Sequence, residues 1–140
     1  MRIYFARHGE SQANLLHEIS NRGLRHGLTP RGREQAEALA QRLQGVAIAR
    51  IYSSPVLRAI ETSVILAHRL GVEYEVTDAL REYDCGVLEG RSDEDAWQGW
   101  HELWRSGAAP ILGLPINKAL WTPSFVLLAG GLGMVMLACC

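Results

Sequence analysis

Hydrophobic and polar positions follow two alternating periods over the first hundred residues, then give way to an almost unbroken apolar run. Residues 2–6 (RIYFA) form a short aromatic-rich apolar run that ends at the polar tetrapeptide Arg7, His8, Gly9, Glu10. Such a run predicts a buried strand delivering a polar loop at its C-terminal end, the edge where open α/β sheets bind ligands. Thr29 is placed to cap, and Pro30 to begin, a helix whose Ala36, Leu39, Ala40 and Leu43 repeat at helical spacing and which Gly45 closes. Residues 46–52 (VAIARIY) predict a second strand. Ser53, Ser54 and Pro55 then start a helix that carries Leu57, Ile60 and Val64 inward and stops at Gly71. Residues 72–76 (VEYEV) predict a third strand, and Ser92 with Asp93, Glu94 and Asp95 opens a helix bearing Trp97, Trp100 and Trp104 on one side. The order βαβαβ implies an α/β domain, a parallel sheet with flanking helices and right-handed crossovers.

Composition narrows the function. At 140 residues there is room for one domain and one site. A net charge of -1 and a pI near 6.5 argue against a nucleic-acid partner, which would call for a basic face. The three cysteines, Cys85, Cys139 and Cys140, form neither a CxxC pair nor an even framework. They suggest no metal site and no disulfide scaffold, and a reducing cytoplasm is the expected compartment. Arg2, Arg7, His8 and Glu10 interrupt any signal-peptide apolar core near the N-terminus.

Of the 14 Lys and Arg and 15 Asp and Glu residues, only Lys118 lies beyond position 110. This divides the chain into a domain over 1–109 and an apolar tail over 110–140. From Ala119 to Cys140 run 22 residues without a charge, near the ~20 that span a bilayer core. Lys118 and Trp121 stand at its start as interface residues do, and Gly130, Gly131 and Gly133 are tolerated in membrane helices. The expectation is an apolar C-terminal helix that could cross a membrane and carry membrane association through 119–140; a buried helix or a strand pair is the alternative. On the first reading, removing 110–140 should improve solubility.

The tripeptide RHG occurs at Arg7–Gly9 and again at Arg25–Gly27. Only the first follows a strand, so His26 reads as a loop histidine. Around the first copy, four blocks occur in order: Arg7 to Ser11 with Asn14; Leu28, Thr29, Gly32, Gln35, Ala36 and Leu39; SSPVLRAIET from Ser53 to Thr62; and LREYDCGVLEG from Leu80 to Gly90. Together they resemble the histidine phosphatase superfamily, which includes phosphoglycerate mutases and broad-specificity phosphatases.

The resemblance implies a phosphoglycerate mutase-like α/β fold, truncated here, that acts on small phosphorylated substrates with no metal or organic cofactor. It implies that His8 becomes transiently phosphorylated, a task suited to a neutral imidazole near pH 7. Arg7 and Arg58 would fork onto the phosphate oxygens, and Asn14 would add a neutral hydrogen bond. Glu82 stands at the position of the family's proton donor. Glu10 reads as a hydrogen-bonding support, Glu89 as structural, and His17, His68 and His101 as incidental. Transfer to water would make a phosphatase, the favoured reading from the fourth block; transfer to a hydroxyl would make a mutase. The family's second histidine has no counterpart after His101, where the sequence holds no histidine, which implies impaired turnover or a phosphate-binding fragment. The stretch PINKALWTPSFVLLAGGL, Pro115 to Leu132, resembles heparan-alpha-glucosaminide N-acetyltransferase-like membrane acyltransferases, so the two halves read as a join of unlike frames. The oligomeric state is not legible in the residues.

Overall fold

Strand β1 (Arg2–Arg7) takes up the RIYFA run and stops one residue before His8. The computed structural model describes residues 2–82, 84–105, 125–130 and 133–134. After β1 come a single helical turn α1 (Gln12–Leu15), α2 (Pro30–Arg42), β2 (Arg50–Ser53), α3 (Leu57–Leu70), β3 (Glu73–Val76) and α4 (Glu94–Arg105). β4 (Phe125–Gly130) and the two-residue β5 (Gly133–Met134) complete the described elements. The expected α2 is found with its capping intact: Thr29 Oγ1 accepts from Gly32 N–H at 3.0 Å, and Pro30 takes the first helical position. Ala36, Ala40 and Leu43 are buried beneath it. The α3 helix ends on Gly71, whose left-handed φ of 67° suits a residue without a Cβ.

The inward face of α3 differs from the sequence expectation. Val64 is 42% exposed, while Arg58, Ala59, Thr62, Ser63, Leu66 and Ala67 are buried. Ser53 belongs to β2 and the helix starts at Leu57, and its buried face lies beside the Leu57, Ile60, Val64 stripe rather than on it. Hydropathy misreads this face because Thr62 donates its hydroxyl hydrogen to Arg58 O at 2.8 Å, so a polar residue is buried with its hydroxyl satisfied.

The sheet has the order β1-β5-β4-β2-β3, with β1 also pairing β4 directly. β2 and β3 are parallel, Arg50 to Ser53 facing Glu73 to Val76. β4 is antiparallel to both neighbours: Arg7 pairs with Phe125 and Arg2 with Gly130 on one side, Ser53 with Val126 and Arg50 with Ala129 on the other. The α/β fold with parallel strands and flanking helices therefore holds, but the sheet is mixed. The apolar C-terminal helix expected over the tail is replaced by strand at 125–130 and 133–134. A strand paired on both sides accepts the uninterrupted apolar run FVLLAG, and a run this short has no period to separate strand from helix. The rest of the tail, including 119–124, lies outside the described residues. No helix among the described residues is long and apolar enough to cross a membrane.

The main core packs Ala6, Leu43, Ile48, Ile51, Val56 and Leu66 between sheet and helices. A second, smaller core of Ile19, Cys85 and Ala96 takes Trp97 and Trp100 of α4 against it. Trp97 Nε1–H also donates to His17 O at 2.7 Å, so these two tryptophans pack the end of the molecule that holds the site loops.

Candidate active site

The loop after β1 is fixed by a crossing of backbones. A Cβ on Gly9 would overlap the Gly32 carbonyl, and a Cβ on Gly32 would overlap the Glu10 carbonyl. Both positions need glycine because the N-terminus of α2 lies directly on the loop. Further bonds hold the crossing: Thr29 N–H to Glu10 O at 2.9 Å, Gln12 N–H to Gly27 O at 3.0 Å, and Thr29 Oγ1 to Glu10 Oε1 at 2.8 Å. Glu10 is thus tied to Thr29 in the manner of a support.

At the start of this loop His8 is 5% exposed. Its Nδ1 lies 2.5 Å from Gly9 O, and Arg58 Nε donates to its Nε2 at 3.0 Å. A carbonyl can only accept and a guanidinium can only donate, so both contacts demand one tautomer: a neutral ring protonated on Nδ1 with its lone pair on Nε2. The pKa agrees. Burial, with Arg58 and Arg7 adding to it against the Gly9 bond, lowers it from 6.5 to about 3.

Arg58 is itself buried, at the first turn of α3. Besides His8 it donates to Ser20 O at 2.8 Å and lies 3.8 Å from Glu82 Oε2. Burial lowers its pKa, opposed by Glu82 and Glu89, yet a guanidinium stays charged through such a shift. Glu89 accepts from Ser20 Oγ and from the backbone N–H groups of Asn21 and Arg22, and so pins the loop that offers Arg58 its carbonyl. Arg22 and Asp84 form an exposed ion pair over the same contact. Cys85 is buried near Glu89 and Glu82, and burial first, then these carboxylates, push its thiol up to about 12. It carries no thiolate at neutral pH.

Of the residues singled out from sequence, His8, Arg58 and Glu82 therefore form one chain of contacts. Arg7, His8 and Asn14 line a cavity of about 530 Å³ beside α2, which Arg58 and Glu82 do not line. Asn14 Oδ1 accepts from Ser11 N–H and from Ser11 Oγ, each at 2.9 Å. His26 is buried apart from this group, with Nε2 2.9 Å from Glu18 Oε1. Two residues quoted only as part of the sequence blocks turn out to touch the loop: Gly9 N–H donates to Thr62 Oγ1 at 3.2 Å, and Glu10 N–H to Gln35 Oε1 at 2.8 Å. Thr62 stands one helical turn after Arg58, a spacing that the sequence reading did not use. Among the described residues no group of three or more His, Cys, Asp or Glu is placed to hold a metal.

Fold and site together define an α/β domain that holds a neutral, buried histidine against an arginine at the end of its first strand. The chain belongs to the histidine phosphatase superfamily (branch 1), whose model matches residues 3–112. It is 41% identical over 102 residues to the 6-phosphofructo-2-kinase/fructose-2,6-bisphosphatase of Gallus gallus, an alignment covering 71% of this chain and 20% of that protein. It is 34% identical over 110 residues to an Enterobacter protein described as "Probable phosphoglycerate mutase GpmB", covering 76% of this chain and 51% of that one. Its structure resembles phosphoserine phosphatase from Entamoeba histolytica in complex with 3-phosphoglyceric acid. That match has a TM-score of 0.63 and 28% identity, over 84% of this chain and 57% of that one. The chain thus spans a fifth to about a half of the length of these relatives. The family match ends at residue 112, before the segment 115–132, and lends nothing to that segment's likeness to membrane acyltransferases.

Proposed function

We propose that this chain supplies the nucleophilic half of a phosphomonoesterase site that works through a phosphohistidine on His8. One observation carries the reading: a buried imidazole, neutral at physiological pH, with its proton held on Nδ1 by Gly9 and its Nε2 lone pair facing the Arg58 guanidinium. The phosphoryl group would be drawn by Arg58 and Arg7. As Arg58 turns its donors to the phosphate oxygens, Nε2 is released to attack in line. The N–P bond forms as the P–O bond to the leaving alkoxide breaks, and Glu82, 3.8 Å from Arg58, donates the proton that alkoxide needs. In the second half Glu82 takes a proton from water as the N–P bond breaks and inorganic phosphate leaves. Asn14 adds a neutral contact from the cavity side.

A second reading keeps the phosphohistidine but returns the phosphoryl group to a substrate hydroxyl; the likeness to a protein described as a phosphoglycerate mutase supports it. The two are separated by whether label from a phosphomonoester appears as inorganic phosphate or on an isomerised product. The shared intermediate is tested by quenching in base after incubation with labelled substrate. We expect an acid-labile, base-stable phosphoenzyme in the full chain and none in His8→Ala. Label surviving in His8→Ala, or found on His26, would overturn the assignment.

A further inference from the structure

Gly9 poses a problem for the site it serves. The crossing with Gly32 requires a residue without a side chain there, which leaves the two peptide planes flanking Gly9 without the torsional restraint a Cβ would give. The carbonyl of one plane must nevertheless stay on His8 Nδ1. We propose that Thr62 and Gln35 are positioning residues that lock these two planes and thereby keep the Gly9 carbonyl on His8. Thr62 Oγ1 accepts the N–H of the plane between His8 and Gly9 at 3.2 Å, and Gln35 Oε1 accepts the N–H of the plane between Gly9 and Glu10 at 2.8 Å. The second plane is the one whose carbonyl meets Nδ1.

The direction of each bond is fixed. Thr62 has one hydroxyl hydrogen and spends it on Arg58 O at 2.8 Å, so toward Gly9 it can only accept. A closed ring results: His8 Nδ1 to Gly9 O, Gly9 N to Thr62 Oγ1, Thr62 Oγ1 to Arg58 O, and Arg58 Nε to His8 Nε2. In the resting site Arg58 and Gly9 both hold the tautomer. Once a phosphate draws the guanidinium away, Gly9 alone holds it, and Thr62 and Gln35 keep Gly9 in place. The catalytic consequence rests on His8 being the nucleophile; the positional statement does not.

The test reads the ring proton directly. In the full chain labelled with 15N-histidine, and with His8→Asn to assign the signal, we expect a downfield Nδ1 proton protected from solvent exchange. Thr62→Val and Gln35→Leu should each speed its exchange, by roughly five- to ten-fold for the buried Thr62 bond and about two- to five-fold for the exposed Gln35 bond, the scale of losing one neutral hydrogen bond. Thr62→Ser should restore protection, because a hydroxyl returns. Gln35 is exposed on α2, so its variant keeps the fold, and unchanged protection of the Ile51 and Leu66 amides confirms this for both. Unchanged Nδ1 exchange in both variants, or a wild-type ring protonated on Nε2, overturns the proposal. A faster exchange in a chain that forms no phosphoenzyme supports the positioning role and counts against the nucleophile.

Discussion

At the scale of single residues, His8 is controlled by desolvation more than by charge. With its pKa lowered to about 3, the ring is neutral, carrying its one proton on Nδ1, across the neutral range, so an acid limb between pH 5 and 8 is expected from another group. The same shift has a cost in stability. An unfolded histidine takes up a proton near pH 6.5, whereas the folded one resists down to about pH 3. The contribution is fully present above about 6.5 and drains away as pH falls toward 3, an effect of order a few kcal/mol. His8→Asn should therefore show a flatter loss of stability between pH 7 and 4 than the parent when urea midpoints are compared, and superimposable profiles would contradict the buried neutral ring. For Glu82 the discriminating measurement is leaving-group dependence. Glu82→Gln should slow alkyl phosphates by ~10²- to 10⁴-fold and aryl phosphates far less, because phenolates depart without a proton. Arg58→Ala should slow both alike, and equal losses in Glu82→Gln would reduce Glu82 to a support for Arg58.

At the scale of elements, what decides the site is the crossing of the β1 loop with the start of α2. Gly32→Ala would drive a Cβ into the Glu10 carbonyl, and backbone cannot swing aside as a side chain can. We expect a loss of ~1–3 kcal/mol in urea unfolding. Gly27→Ala, whose Cβ would meet only the end of the Glu61 side chain, should lose much less; a reversal of that order would remove the crossing as the reason for glycine. These elements were unequally legible. Thr29, Pro30 and the apolar repeat of α2 are local signals and gave both its start and its buried face. The buried face of α3 was misread because Thr62 satisfies its hydroxyl on the helix backbone, which hydropathy does not register. The demand for glycine at 9 and 32 is not local at all: neither position has a positive φ, and only the meeting of two segments explains it. His8 and Arg58 stood out in the sequence because the expected chemistry constrains residue type, and the structure puts the two in contact, whereas Thr62 and Gln35 accept backbone N–H groups, which many residue types can do.

At the scale of the whole molecule, the tail decides whether the sheet is continuous. An uncharged run after a soluble-looking domain suggested a segment to be shed, but the backbone of β4 runs between β1 and β2 and pairs with both along their length. Removing 110–140 would strip hydrogen bonds from two strands at once, and one of them leads directly to His8. Unpaired apolar edges of this kind are templates for association with other chains. The outer strand, β3, is already exposed along its length, with Tyr74 at 42% and Val76 at 43%. The deletion should thus do the opposite of what composition suggested. We expect the chain ending at residue 109 to aggregate at concentrations where the full chain does not, and its Ile3–Ala6 and Ile51–Ser53 amides to exchange faster in whatever monomer remains. Sedimentation and amide exchange on the two chains provide the comparison. A shortened chain that stays monomeric with unchanged protection in β1 and β2 would mean that β4 contributes nothing to the sheet, and that the first hundred residues hold the His8 loop by the α2 crossing alone.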